Sequence, residues 1–104
     1  MRTENGIVYS VDELKTLLFP VFRDYQIKRA VLFGSYGKGL ATPKSDVDLL
    51  VDSGLRGLKF VGLIGDIQHS LQGKDVDVFD ITHIEKGSLV EREINQTGVE
   101  IYAK

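Results

Sequence analysis

Two carboxylates one residue apart, Asp46 and Asp48, follow the dipeptide Gly34-Ser35 after ten intervening residues. The run Asp46-Val47-Asp48-Leu49-Leu50-Val51 reads as a strand, and side chains alternate across a strand. Both acids therefore point to one face while Val47, Leu49 and Val51 point to the other, towards a core. Two carboxylates that close repel each other, and a cation between them removes the cost. Upstream, Leu32-Phe33-Gly34-Ser35-Tyr36-Gly37-Lys38-Gly39 reads as an apolar strand entering a tight turn. A glycine there allows close backbone approach to a phosphate, and Ser35 adds a hydroxyl donor. A phosphate-approaching turn beside a hard-cation site is what nucleoside triphosphate chemistry needs.

Asp77, framed by Val76 and Val78, supplies a third carboxylate. Asp75 lies on the same face and competes with it, with Asp77 favoured. If that strand lies beside the Asp46–Val51 strand, three acids converge. An oxygen-only donor set without Cys or a paired His suits Mg²⁺ or Mn²⁺ rather than zinc. Two such ions roughly 3.5–4 Å apart clamp the attacking and leaving oxygens of an in-line displacement. Asp46 and Asp48 are then the ligands of metals bridging the phosphates. Asp77 completes the second site and activates an acceptor hydroxyl. Gly34, Ser35 and Lys38 are the nucleotide-binding candidates, Lys38 by neutralising charge on the leaving pyrophosphate. The turn is neither a Walker A loop nor a GxGxxG fingerprint, since Gly37-Lys38-Gly39 continues Leu-Ala-Thr.

Other polar residues read more plainly. Asp52 and Asp80 are loop or surface acids at strand ends. His69 and His83 have no second ligand at metal spacing. Tyr36 either stacks on a base or packs over the turn.

The elements that position these groups follow from periodicity. Ser10-Val11-Asp12-Glu13 is a capping box opening a helix with Leu14, Leu18 and Val21 inward. Pro20 is expected to kink that helix or end it near Phe19. Strands are expected over 28–33, 46–51 and 75–81, with a helix over 58–71 capped by Gly73. Thr82 and Glu85 read as a second capping box, starting a helix to about Asn95 with Leu89, Val90 and Ile94 inward. Gly98 ends it, and 99–102 form a last strand. The order helix, strand, strand, helix, strand, helix, strand predicts an α/β (α+β) fold. Its small mixed sheet carries helices packed on one face and carboxylates on the other.

With 104 residues the chain is read as a single domain, 1–104. Its 42 % hydrophobic and 27 % charged residues are those of a soluble globule. The net charge of −2 argues against direct nucleic-acid binding, which wants a basic surplus. The absence of cysteine excludes disulfides and thiolate metal sites. Neither a secretion signal nor a membrane span is read, so the expected location is cytoplasmic.

The spacing from Gly34-Ser35 to Asp46-Val47-Asp48 resembles the signature of the DNA polymerase beta-like nucleotidyltransferase superfamily. Leu32 to Gly39 is similar to its Leu-Phe-Gly-Ser turn, with Gly37-Lys38 where Ala-Arg is usual. Lys74-Asp75-Val76-Asp77-Val78 resembles the later strand with the third acid. Glu93-Ile94 through Gly98 to Tyr102 resembles the ending of the minimal nucleotidyltransferases, short prokaryotic proteins often encoded beside a HEPN-domain RNase toxin. The resemblance implies the nucleotidyltransferase core fold, ATP as substrate with Mg²⁺ or Mn²⁺, and transfer of AMP onto a tyrosine of a HEPN-type toxin partner. The alternative is an antitoxin that neutralises its partner by occlusion alone, for which the small size and missing acceptor-binding domain speak.

Overall fold

The computed structural model describes residues 6–104. Helix α1 spans Val11–Asp24, strand β1 Arg29–Phe33, the one-turn helix α2 Gly34–Gly37 and strand β2 Val47–Asp52. Helix α3 spans Leu58–Ser70, strand β3 Val76–Asp80, a 3-10 turn Ile81–His83, helix α4 Leu89–Thr97 and strand β4 Val99–Ala103. The sheet order is β3-β2-β1-β4. β1 pairs antiparallel with both β2 and β4, and β2 pairs parallel with β3 across the α3 crossover. This is the small mixed sheet that the element order predicts.

Helix α1 begins as expected. The Ser10 hydroxyl accepts from the Glu13 amide while the Glu13 carboxylate accepts from the Ser10 amide. Pro20 does not end the helix, which runs on to Asp24. Burial of Val21 and Phe22, beyond the proline, outweighs the one amide hydrogen bond that proline forfeits.

The main core lies between one sheet face and helices α1 and α3. Leu14, Leu18 and Phe22 of α1 and Leu63 and Ile67 of α3 meet Ala30, Leu32, Val47, Leu49, Val51 and Val76. A fully buried aliphatic side chain contributes about 1.5–3 kcal/mol, so this layer dominates stability. The opposite sheet face carries a smaller cluster, Val31, Phe33 and Leu50, with Phe79, Ile84, Val90 and Ile94 packed on it. Helix α4 thus partly covers the second face.

The capping box expected at Thr82 is not where α4 starts. Thr82 instead belongs to the 3-10 turn, where its amide and hydroxyl bond Asp80. The helix opens at Ser88, whose hydroxyl accepts from the Glu91 amide. Leu89, expected inward, is 79 % exposed, because as the first residue of the helix it lies about 100° round from the Val90–Ile94 face that packs on the sheet. Asp80 is likewise no surface acid. It is 2 % exposed, and it accepts from the amide and hydroxyl of both Ser53 and Thr82. Burial alone would push its carboxyl up; the hydrogen bonds outweigh that and hold it below the usual carboxylate range. Among the described residues no helix is long and apolar enough to cross a membrane.

Candidate active site

Strand register assembles the acids. Phe33 of β1 lies opposite Asp48 of β2, and Asp48 lies opposite Asp77 of β3. Since Val47, Leu49 and Val76 go into the main core, Asp48 and Asp77 emerge side by side on the second face. Asp46 sits in the segment just ahead of β2 and is exposed. Asp75 precedes β3, and its carbonyl accepts from the Val47 amide, locking the start of the parallel pairing.

Electrostatics mark Asp48 as the centre. Its carboxyl is pushed up to about 6, first by burial, then by the charges of Asp77, Glu93 and Asp46, with a hydrogen bond to Asp77 adding to the shift. Holding a bare carboxylate there is unfavourable, and a divalent cation would reverse that cost. The donors are all carboxylate oxygens, so Asp46, Asp48 and Asp77 fit a hard ion such as Mg²⁺. Among the described residues no group of three or more Asp, Glu, His or Cys side chains forms a ready-made metal cage. Asp48 and Asp77 stand as a pair, and Asp46, in the loop ahead of β2, acts on Asp48 through its charge. Glu93, a half-buried residue of α4, was not among the acids the sequence pattern singled out. Its helical spacing carries no sign of proximity to Asp48, which lies on a strand 45 positions earlier in the chain.

The Gly-Ser turn leaves the end of β1 directly beside Asp48. Gly34 has φ +69°, a conformation costly for residues with a Cβ, and a Cβ there would overlap the Asp48 carboxylate. The glycine therefore serves the acid as well as the turn. Ser35 is half-buried, and no side chain caps α2, so its hydroxyl does not do so. Lys38 is exposed at the end of that turn. Tyr36 is only 4 % exposed within the main core, which rules out stacking on a base. The two histidines are exposed on the surface.

A buried lysine holds the loop that delivers Asp46. Lys74, 4 % exposed, donates to the carbonyls of Ile7 (2.9 Å) and Pro43 (3.1 Å). Thr42 and Ser45 close the same loop through the Thr42 amide to the Ser45 hydroxyl, 2.9 Å. Lys74 was legible only as part of a motif; nothing in its neighbours marks it as buried.

The profile of the family described as "Nucleotidyltransferase domain" matches residues 15–99, which include the turn and all three acids. The chain belongs to this nucleotidyltransferase family. The "Putative protein adenylyltransferase MJ0435" of Methanocaldococcus jannaschii is 32 % identical over 78 residues, covering 72 % of this chain and 82 % of that relative. Among solved structures, a toxin–antitoxin with AMP-PNP superposes with a TM-score of 0.72 at 21 % identity, over 86 % of this chain and 73 % of that one. The toxin–antitoxin MntA-HepT does so with a TM-score of 0.64 at 18 % identity, over 88 % and 71 %. These likenesses establish a shared fold. As a nucleotidyltransferase the protein is an enzyme, and Asp48 and Asp77 stand where two strands of that fold meet beside its Gly-Ser turn.

Proposed function

We propose that this nucleotidyltransferase transfers AMP from ATP to a hydroxyl acceptor, a tyrosine of a HEPN-type toxin, and so acts as an antitoxin. The observation that carries the reading is the Phe33–Asp48–Asp77 register, which sets two acids beside the Gly-Ser turn. The protein adenylyltransferase name of the methanogen relative supports AMP as the transferred group. The AMP-PNP-bound toxin–antitoxin structure supports a nucleotide substrate and a protein partner through the shared fold.

In this reading Asp46, Asp48 and Asp77 hold Mg²⁺. When bound, it neutralises triphosphate charge and lowers the pKa of the acceptor hydroxyl. Ser35 donates to a phosphate oxygen, and Gly34 leaves room for the Asp48 carboxylate under the turn. Lys38 supplies positive charge near the leaving pyrophosphate. The acceptor oxygen forms a bond to the α-phosphorus as the bond to the β-bridging oxygen breaks. Pyrophosphate departs, and the hydroxyl proton passes to Asp77. The half-covered second sheet face leaves this side open to a protein acceptor.

The test is to incubate the protein with ATP, Mg²⁺ and a HEPN-type toxin, then weigh the toxin by mass spectrometry. A gain of one adenylyl unit, lost with Asp46→Asn or Asp77→Asn, is expected. Undiminished modification by both variants would reject the assigned roles. Protection of cells by an Asp46→Asn/Asp48→Asn double variant at equal expression would favour occlusion instead.

A further inference from the structure

Helix α4 contains no fully buried residue, yet its last residue touches the Gly-Ser turn. The Thr97 hydroxyl donates to the Glu93 carbonyl, 2.7 Å away, the back-bond to the preceding turn that threonine makes within helices. That bond fixes the hydroxyl's orientation, and its oxygen then accepts from the Gly34 amide at 3.1 Å. A second contact reinforces the first. A Cβ on Gly37 would overlap the Thr97 carbonyl, so the turn lies directly against the end of α4. Gly98 then leads into β4, which pairs with β1, so both sides of the contact are anchored in the sheet.

We infer that Thr97 is a positioning residue for the nucleotide site, clamping the Gly34 amide so that the Gly-Ser turn is held at one height beside Asp48. The inference rests on the nucleotide-binding reading above and sharpens it. The Gly34 amide is already engaged, so it is not a phosphate donor. Phosphate recognition at this turn falls to Ser35 and Lys38. Thr97 itself touches no substrate; it acts through Gly34.

The test compares the wild type with Thr97→Val, which keeps the shape and removes the hydroxyl, and Thr97→Ser, which restores it. The first readout is hydrogen exchange of the Gly34 amide by NMR. The second is the dissociation constant for ATP with Mg²⁺. Loss of one part-buried hydrogen bond corresponds to about a three- to tenfold effect. Thr97→Val is therefore expected to speed Gly34 exchange and weaken ATP by about that factor, with Thr97→Ser restoring both. Equal Gly34 exchange in all three proteins, or an unchanged ATP constant in Thr97→Val, overturns the inference, as does failure of Thr97→Ser to restore either quantity. Should the wild type bind no ATP, the nucleotide reading falls and this role for Thr97 with it, while the exchange arm still reports whether the clamp exists. If Thr97→Val does not fold, Thr97→Ala takes its place with the same expectations.

Discussion

Asp48 is the residue whose chemistry departs furthest from its ordinary behaviour. Its carboxyl sits near 6 because burial and three neighbouring acids disfavour its charge. Replacing it should therefore separate stability from activity. Asp48→Asn is expected to abolish transfer while leaving the metal-free protein at least as resistant to heat as the wild type, measured by calorimetry with EDTA at pH 7. A drop of several degrees would show that the charge supports the fold. Gly34 makes the opposite case. Gly34→Ala adds a Cβ at a positive φ and against the Asp48 carboxylate, and is expected to cost about 1–2 kcal/mol in denaturant melts as well as activity.

Helices and strands differ in how firmly they are held. Helix α1 tolerates Pro20 because buried residues flank it on both sides. Pro20→Ala restores an amide that can bond the Thr16 carbonyl, and is expected to stabilise by about 1–3 kcal/mol in urea unfolding. Helix α4 depends more on its ends. Ser88 caps one terminus, and the Thr97 bridge ties the other to the turn. Ser88→Ala is expected to cost about 1 kcal/mol, read by the same melts. The far ends of β2 and β3 are fastened by Asp80 through Ser53 and Thr82. This keeps the parallel register that places Asp77 opposite Asp48.

Taken together, the fold sets two acids against each other in pH. Asp80 is held below its ordinary range, so its contribution to stability is present above the unfolded carboxyl value and is lost as pH falls through its lower folded value. Asp48 is held above that range. The metal-free fold binds its proton more tightly than the unfolded chain does, so stability is lost as pH rises from the ordinary carboxyl value through about 6. Because a bound cation requires the carboxylate, Mg²⁺ affinity measured by calorimetric titration is expected to rise with pH up to about 6 and level off above it. A flat profile between pH 5 and 7 would exclude Asp48 as a ligand.

Local pattern was enough for much of this protein. Alternation in Asp46 to Val51 and in Val76 to Phe79 told which side chains face the core, because a half-buried strand must segregate apolar from polar groups with period two. The Ser10 box and the Gly98 stop are signals confined to a few neighbouring residues, and both were legible for that reason. Contacts across the sheet were not. No spacing along the chain says that Glu93 lies near Asp48, that the Thr97 hydroxyl meets the Gly34 amide, or that Lys74 reaches the Pro43 carbonyl. The length of helix α1 past Pro20, the fate of Thr82 in a turn, and the depth of Asp80 also followed from burial. Distant elements set that burial, and local preferences yield to it when several kilocalories of packing are at stake.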